Sequence, residues 1–348
     1  MNRFRYFAQR LLLLFGVTFP GIILLTFLFT QLVPGGPVEQ QIAKMRMGGS
    51  EGGASGAASQ AMTQEQIEEL KAVYNLDKPL LKRFWIWMVH DRVGMKAYSF
   101  NYTNKTTWEL ISERFPISLS FGIPSLFLTY IICIPLGIAK ALKNGKRFDL
   151  VSSLIVFTLY ALPTFAFGMV LKMLFCGTTE WALDWFPIGG FRSPNWESLS
   201  AWGRVKDQVW HLFLPVTCYV VGNFAVMTLL MKNSLLDQIS QDYVRTVLAK
   251  GGTMNRAVWR HAVRNSLIPI VTGIGSILTV MFAGSVLIEQ VFDIHGLGLL
   301  SLNAIIGRDY PLFLGIVCLQ SILGLLGQVL TDFCYLVVDP RMDFGGGD

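Results

Sequence analysis

Six stretches of the chain are apolar for long enough to cross a bilayer: roughly 9–33, 116–140, 150–175, 211–232, 266–288 and 312–337. A spanning helix needs about 20 mainly apolar residues to cover a hydrocarbon core about 30 Å thick. Lipid offers nothing to the backbone N–H and C=O groups, so such stretches must satisfy them internally as helices. The pattern therefore predicts an all-α membrane protein with six transmembrane helices. Pro20, Pro124, Pro135, Pro163 and Pro215 interrupt or open these segments. Neighbouring helices can re-satisfy the carbonyls they free.

The polar stretches divide the chain into a first helix with its amino-terminal flank (1–33), a long segment (34–115) and a five-helix remainder (116–348). Within the long segment, GGSEGGASGAASQ (48–60) reads as a flexible linker, since Gly, Ser and Ala offer no apolar face. Thr63 and Gln66 have capping-box spacing, and Ile67, Leu70 and Tyr74 follow at helical intervals. Phe84, Trp85, Trp87 and Met88 in PLLKRFWIWMVHDRVG suit a helix lying at a membrane surface.

Charge adds an orientation. Arg3, Arg5 and Arg10 precede the first helix, and the link 140–149 carries Lys140, Lys143, Lys146 and Arg147. The link 233–265 carries Arg245, Lys250, Arg256, Arg260 and Arg264, with Lys232 at its edge. The opposite links, 176–210 and 289–311, hold only Arg192, Arg204, Lys206 and Arg308. Basic short links stay on the cytoplasmic side. Both termini and the loop 233–265 are thus expected in the cytoplasm and residues 34–115 outside. The basic start before an apolar run resembles a signal peptide, but the run from Leu11 to Val33 is long and no small-x-small cleavage site follows. It is expected to remain as the first helix.

Composition agrees: 52% of the 348 residues are hydrophobic and 15% are charged. Soluble domains carry about 25% charged residues, so this chain has too few to cover a water-facing surface. The net charge of +6 reads as topology rather than nucleic-acid binding. Cys133, Cys176, Cys218, Cys318 and Cys334 form no CxxC pair and read as small buried apolar residues.

Chemistry-bearing motifs are scarce. Gly48-Gly49-Ser50-Glu51-Gly52 matches the G-x-S-x-G string of serine hydrolases, but that chemistry needs a strand–turn–helix elbow, and Ser50 sits in a linker. No HExxH, P-loop or GxGxxG occurs, and His90, His211, His261 and His295 have no metal-ligand spacing. No catalytic residue, metal or cofactor is expected in this chain, and ATP would have to be bound elsewhere.

The loop NSLLDQISQDYVRTVLAKGGTMNRAVWRHAVRNSLIPIV reads as two short helices broken at Gly251-Gly252. Ile239, Tyr243 and Val247 share one face, Gly251 suits a left-handed C-cap, and Val258, Trp259, Ala262 and Val263 form a second stripe. Periodicity alone leaves two readings open, an amphipathic surface loop and a docking element.

DYVRTVLAKGG followed by RHAVRNSLIPIV resembles the EAA loop of bacterial ABC importer permeases of the dipeptide/oligopeptide branch. Tyr243, Val244, Arg245, Thr246, Ala249, Lys250 and Gly251 match in register, as do His261, Arg264, Asn265 and Pro269. Val247 and Leu248 stand where the family usually has Ala-Arg. VPGGPVEQ, YNLDKPLLKRFWIWM, ISERFPISLSFG, GSVLIEQVFDIHGLGLL, RDYPLFLG and VDPRMDF extend the resemblance over almost the whole chain. The insertion 48–60 and the ending are similar to a subgroup importing microcin C and longer peptides. The resemblance implies a type I importer permease fold in the bacterial inner membrane. The implied partners are a second homologous permease, ABC ATPase subunits or a fused double ATPase that bind ATP and Mg, an extracytoplasmic solute-binding protein and a peptide substrate, with no nucleic acid. Nickel, glutathione and oligosaccharide permeases share the fold, and a membrane hydrolase or an ion-driven transporter is the rival from another class.

Polar groups inside the spans call for a role. Asn223 and Met227 in the fourth helix, and Glu289 and Asp293 at the outer end of the fifth, are candidates for a substrate path or gate. Lys172 could snorkel or touch substrate, and Asp332 is expected to pair with a basic group near the inner face.

Overall fold

The computed structural model describes residues 3–32, 77–102, 104–180, 182–273 and 286–338, together with residue 68. The linker 48–60, the capping box at Thr63, the stripe from Ile67 to Tyr74, most of the fifth apolar segment and the DPRMDF ending lie outside the described residues. What is described is helical, with no β-strand beyond two isolated bridges.

The first span is α1 (Arg3–Leu13) and α2 (Phe19–Leu32), joined through a π turn at Leu14–Thr18. The turn precedes Pro20, which cannot donate to the preceding turn and crowds it, and a wider turn absorbs both effects. A short helix α3 (Leu80–Trp85) runs into a π turn at Ile86–His90. Helix α4 (Thr107–Leu142) contains Pro116, Pro124 and Pro135 and starts nine residues before the predicted segment. Its start is a reciprocal cap: the Thr106 amide donates to Glu109 Oε2 at 2.8 Å and the Glu109 amide to Thr106 Oγ1 at 3.3 Å.

The third apolar segment is not one straight span. Helices α5 (Arg147–Ala161) and α6 (Thr164–Phe175) meet at 97°. Pro163 supplies no N–H and pushes Leu162 into an extended conformation, φ −85° and ψ 125°. Helix α7 (Ala201–Ile239) has 39 residues, capped by Ser200, whose Oγ accepts from the Gly203 amide. At about 1.5 Å per residue it is close to twice the thickness of a hydrocarbon core.

The loop 233–265 contributes α8 (Asp242–Ala249), α9 (Met254–Ala257), a π turn at Val258–Ala262 and α10 (Val263–Ser266). Then come α11 (Ile268–Thr272), α12 (Val286–Val291), α13 (Leu297–Ile306) and α14 (Tyr310–Val338). Four of these helices or joined helices are long and apolar enough to span a membrane, and the bent α5–α6 pair makes a fifth.

Two compact units are present: Met1–Phe15, Arg114–Leu300 and Ile322–Asp348 in one, Gly16–Glu113 and Ser301–Ser321 in the other. In the first, α5, α6, α10, α11 and α12 all pack on α7. One apolar cluster joins Phe121 to Tyr219, Phe292 and Ile294, and another joins Cys133 and Ile138 to Met231, Leu235 and Val258. Arg10 Nε donates to Asp332 Oδ2 at 3.0 Å, so Asp332 has a basic partner. In the second unit the buried Asp309 carboxylate accepts from Ser99 Oγ, the Asn101 amide and the Leu312 amide, tying residues 99–101 to the start of α14. All five cysteines are free, and four are buried.

Candidate functional site

The loop 233–265 is amphipathic in three dimensions. Its apolar side, Val244, Ala257, Val258 and Ala262, is buried in one cluster with Cys133, Ile138 and Ala141 of α4 and Met227, Met231 and Leu235 of α7. Tyr243 and Val247 pack against the same cluster, and Tyr243 Oη donates to Gln238 Oε1 at 2.8 Å. The exit of the loop is also fastened. Ser234 Oγ donates to the Ser266 carbonyl at 2.9 Å, and Tyr130 Oη to the Ile270 carbonyl at 3.1 Å. The loop is therefore an extension of α4 and α7 rather than a tether.

Its other side faces outward. Arg245, Thr246, Ala249, Lys250, Gly251, His261 and Arg264 are exposed, Asn265 is half-buried, and Val244 is the buried member of the motif. Leu248, Met254 and Trp259 are exposed beside them. Trp259 thus leaves the apolar stripe that its spacing predicts, while Val258 and Ala262 stay in it. Leu248, in the place of the usual family arginine, presents an apolar side chain on this face.

The break between α8 and α9 is a Schellman turn. The Gly252 amide donates to the Val247 carbonyl at 3.0 Å and the Gly251 amide to the Leu248 carbonyl at 2.9 Å. Gly251 has φ +82°, the left-handed region where a side chain is costly. Gly252 is constrained differently: a Cβ there would lie 2.8 Å from the Val247 oxygen. Thr253 then caps α9, its Oγ1 accepting from the Arg256 amide at 3.3 Å.

A buried charge cluster braces the helices beneath the loop. Lys140, fully buried, donates to Ser152 Oγ at 2.9 Å, Ser153 Oγ at 2.7 Å and the Asp149 carbonyl at 3.0 Å. Its Nζ lies 3.1 Å from Asp149 Oδ1, and Lys232 Nζ lies 2.8 Å from Asp149 Oδ2. Asp149 also accepts from the Gly145 amide at 3.1 Å. One carboxylate thus links the ends of α4, α5 and α7. Lys140 counts as a topology charge in the sequence, yet here it is a core group. Positive charge within reach of the serines of α5 was the available signal.

The four path candidates do not form one polar lining. Asn223 is half-buried and donates from Nδ2 to the Tyr219 carbonyl of its own helix at 3.1 Å. Met227 packs in the apolar cluster under the loop. Glu289 is fully buried and accepts from the Gly298 amide at 3.2 Å and the Leu299 amide at 2.7 Å. Ser118 Oγ takes the Leu297 amide at 2.8 Å, so Glu289 and Ser118 together cap the first turn of α13. Asp293 is exposed with φ +52°. Lys172 Nζ donates to the Val291 carbonyl at 2.7 Å, at the C-terminal end of α12.

Residues 133–344, which include the whole loop, match the family model described as binding-protein-dependent transport system inner membrane component. The chain is 36% identical to the inner membrane ABC transporter permease protein YejB of Escherichia coli O157:H7, over 98% of this chain and 99% of that one. It is also 36% identical to the peptidoglycan transport system permease protein YejB of Agrobacterium fabrum, over 97% and 98% of the two chains. The dipeptide transport system permease protein DppB of Escherichia coli K12 is 32% identical over 93% and 95%.

Proposed function

The chain belongs to the family of binding-protein-dependent transport system inner membrane components, and from that premise we propose that it forms the path for peptides or peptide-like solutes in an ATP-driven importer. It is a multi-pass inner-membrane permease, a transport subunit rather than an enzyme, and its family implies an ATPase and a binding protein as partners. The finer reading has it pair with a second, homologous permease. Its loop 233–265 seats an ATPase subunit, or one half of a fused double ATPase, which binds ATP and Mg. Both termini and that loop lie in the cytoplasm.

The observation that carries this reading is the two-sided loop. Its apolar face is packed into α4 and α7, and its outward face combines Arg245 and Lys250 with Leu248, Met254 and Trp259. A partner that moves the exposed face must move α4 and α7 with it. ATP acts by favouring one of two arrangements that differ in their affinity for the docked ATPase. The substrate class rests on relatives named for dipeptide, oligopeptide and peptidoglycan transport. Of the four path candidates, Asn223 and Asp293 remain for contact with solute; Met227 and Glu289 serve packing and capping.

The test is uptake of a labelled tripeptide by the transporter reconstituted with its binding protein and ATPase. Uptake should need ATP, stop with a hydrolysis-deficient ATPase and fall in competition with di-, tri- or hexapeptides. ATP-driven uptake of nickel, glutathione or an oligosaccharide without peptide competition would move the substrate class, and uptake driven by an ion gradient without ATP would defeat the reading.

A further inference from the structure

Around the helix Leu80–His90, formed by α3 and its π turn, side chains meet three different surroundings. At about 100° per residue, somewhat less through the π turn, Phe84, Trp87 and Met88 fall on one side, Leu81, Trp85 and Val89 on a second, and Lys82, Arg83 and His90 on a third, with the half-buried Ile86 among them. The first side packs on the membrane span. The Phe84 ring is 5.1 Å from that of Phe27, and the Trp87 ring 6.1 Å from it, centroid to centroid. The second side is bare: Leu81 is 80% exposed, Trp85 66% and Val89 52%. Lys82 and His90 on the third side are exposed as well.

The depth of this helix follows from its contact. Phe27 lies six residues before the end of the apolar segment 9–33, about 9 Å of helical rise. A helix packed at that level sits at the edge of the hydrocarbon core. Phe29 and Leu32, on the side of α2 turned away from Phe27, are exposed and apolar as well, as a lipid-facing span requires. A helix in the plane of a membrane interface has three neighbours: protein beside it, acyl chains beneath it, and headgroups and water above. The three sides found here are in that order, with an indole at the boundary, where tryptophan is favoured.

We propose that Leu80–His90 is an in-plane interfacial helix covered by phospholipid, with acyl chains on Leu81, Trp85 and Val89 and headgroup phosphates at Lys82 and Arg83. Its assignment to the extracytoplasmic leaflet rests on the topology proposed above. Its contact with lipid does not.

The test is site-directed spin labelling of the full chain, assembled with its partners in phospholipid nanodiscs, with the five native cysteines replaced. Nitroxides at 81, 85 and 89 should collide more with dissolved oxygen than with a water-soluble nickel chelate, and labels at 82 and 90 should show the reverse. The three positions read independently, so one poorly folding label does not spare the proposal. A greater collision rate with the nickel chelate at 81, 85 and 89 would mean an aqueous surface. Exclusion of both reagents would mean that a protein, such as the binding protein or second permease, covers this face. Either result overturns the lipid assignment while leaving the permease reading untouched.

Discussion

Gly251 and Gly252 are adjacent in sequence and are required for separate reasons. Gly251 has open space around its Cα but a positive φ, so any side chain there strains the backbone by roughly 1 kcal/mol or more. Gly252 has no such φ, but a Cβ would press on the Val247 carbonyl that it must donate to. Gly251→Asp should therefore leave the permease in the membrane while uptake falls sharply and ATPase is released or hydrolyses ATP uncoupled. The spacing of the two helices makes Gly251 legible from sequence. Gly252→Ala should impair uptake as well, measured side by side with Gly251→Asp at matched membrane levels, because its Cβ would lie 2.8 Å from the Val247 oxygen. The charge cluster was legible only in part: Lys140 and Asp149 are nine residues apart, but Lys232 joins them only once α7 packs on α5. Asp149→Leu would leave Lys140 and Lys232 without their anion, a loss on the order of 3–5 kcal/mol for a buried pair. The purified variant should melt at a clearly lower temperature in detergent, whereas an unchanged melting point would place the cluster in a solvated, weak setting.

At the scale of elements, the hydropathy pattern located the spans and left out what happens at their ends. It put the start of the second span at 116, although Thr106 and Glu109 spell a capping box, and α4 begins at Thr107, nine residues earlier. It placed the last span at 312–337, and α14 runs Tyr310–Val338. It read 150–175 as one helix and noted Pro163 as tolerated, but that proline turns the chain by 97°. Hydropathy averages over a window and is blind to direction, so a bend of this size leaves no trace in it. Glu289 belongs here too. Sequence alone makes an intramembrane carboxylate a candidate for solute contact, whereas its oxygens hold the first turn of α13. Glu289→Ala would leave the buried Gly298 amide unsatisfied, at a cost of about 1–3 kcal/mol, and the half-buried Leu299 amide without its acceptor. Glu289→Gln keeps an acceptor. The expected outcome is a lower melting temperature for Ala than for Gln, with the apparent KM for peptide close to wild type in Gln. A KM raised severalfold in Gln with unchanged stability would return Glu289 to the solute path.

For the whole molecule, the family was legible because its motifs lie in the loop, where the match runs in register through Tyr243 to Gly251. The direction of insertion is proposed from an imbalance of Lys and Arg between links. A cysteine at position 55 should react with an impermeant thiol reagent outside intact spheroplasts and one at position 255 should not; the reverse labelling would invert the topology. The central claim is that the outward face of the loop 233–265 seats an ATPase. The most direct measurement is cysteine cross-linking in inverted membrane vesicles between the ATPase and positions 245, 248 or 259, compared with position 146 in the other basic link. The account predicts cross-links from all three loop positions, changing in yield when ATP is added, and few from 146. Absence of any loop cross-link, with the ATPase captured instead through 146, would contradict it.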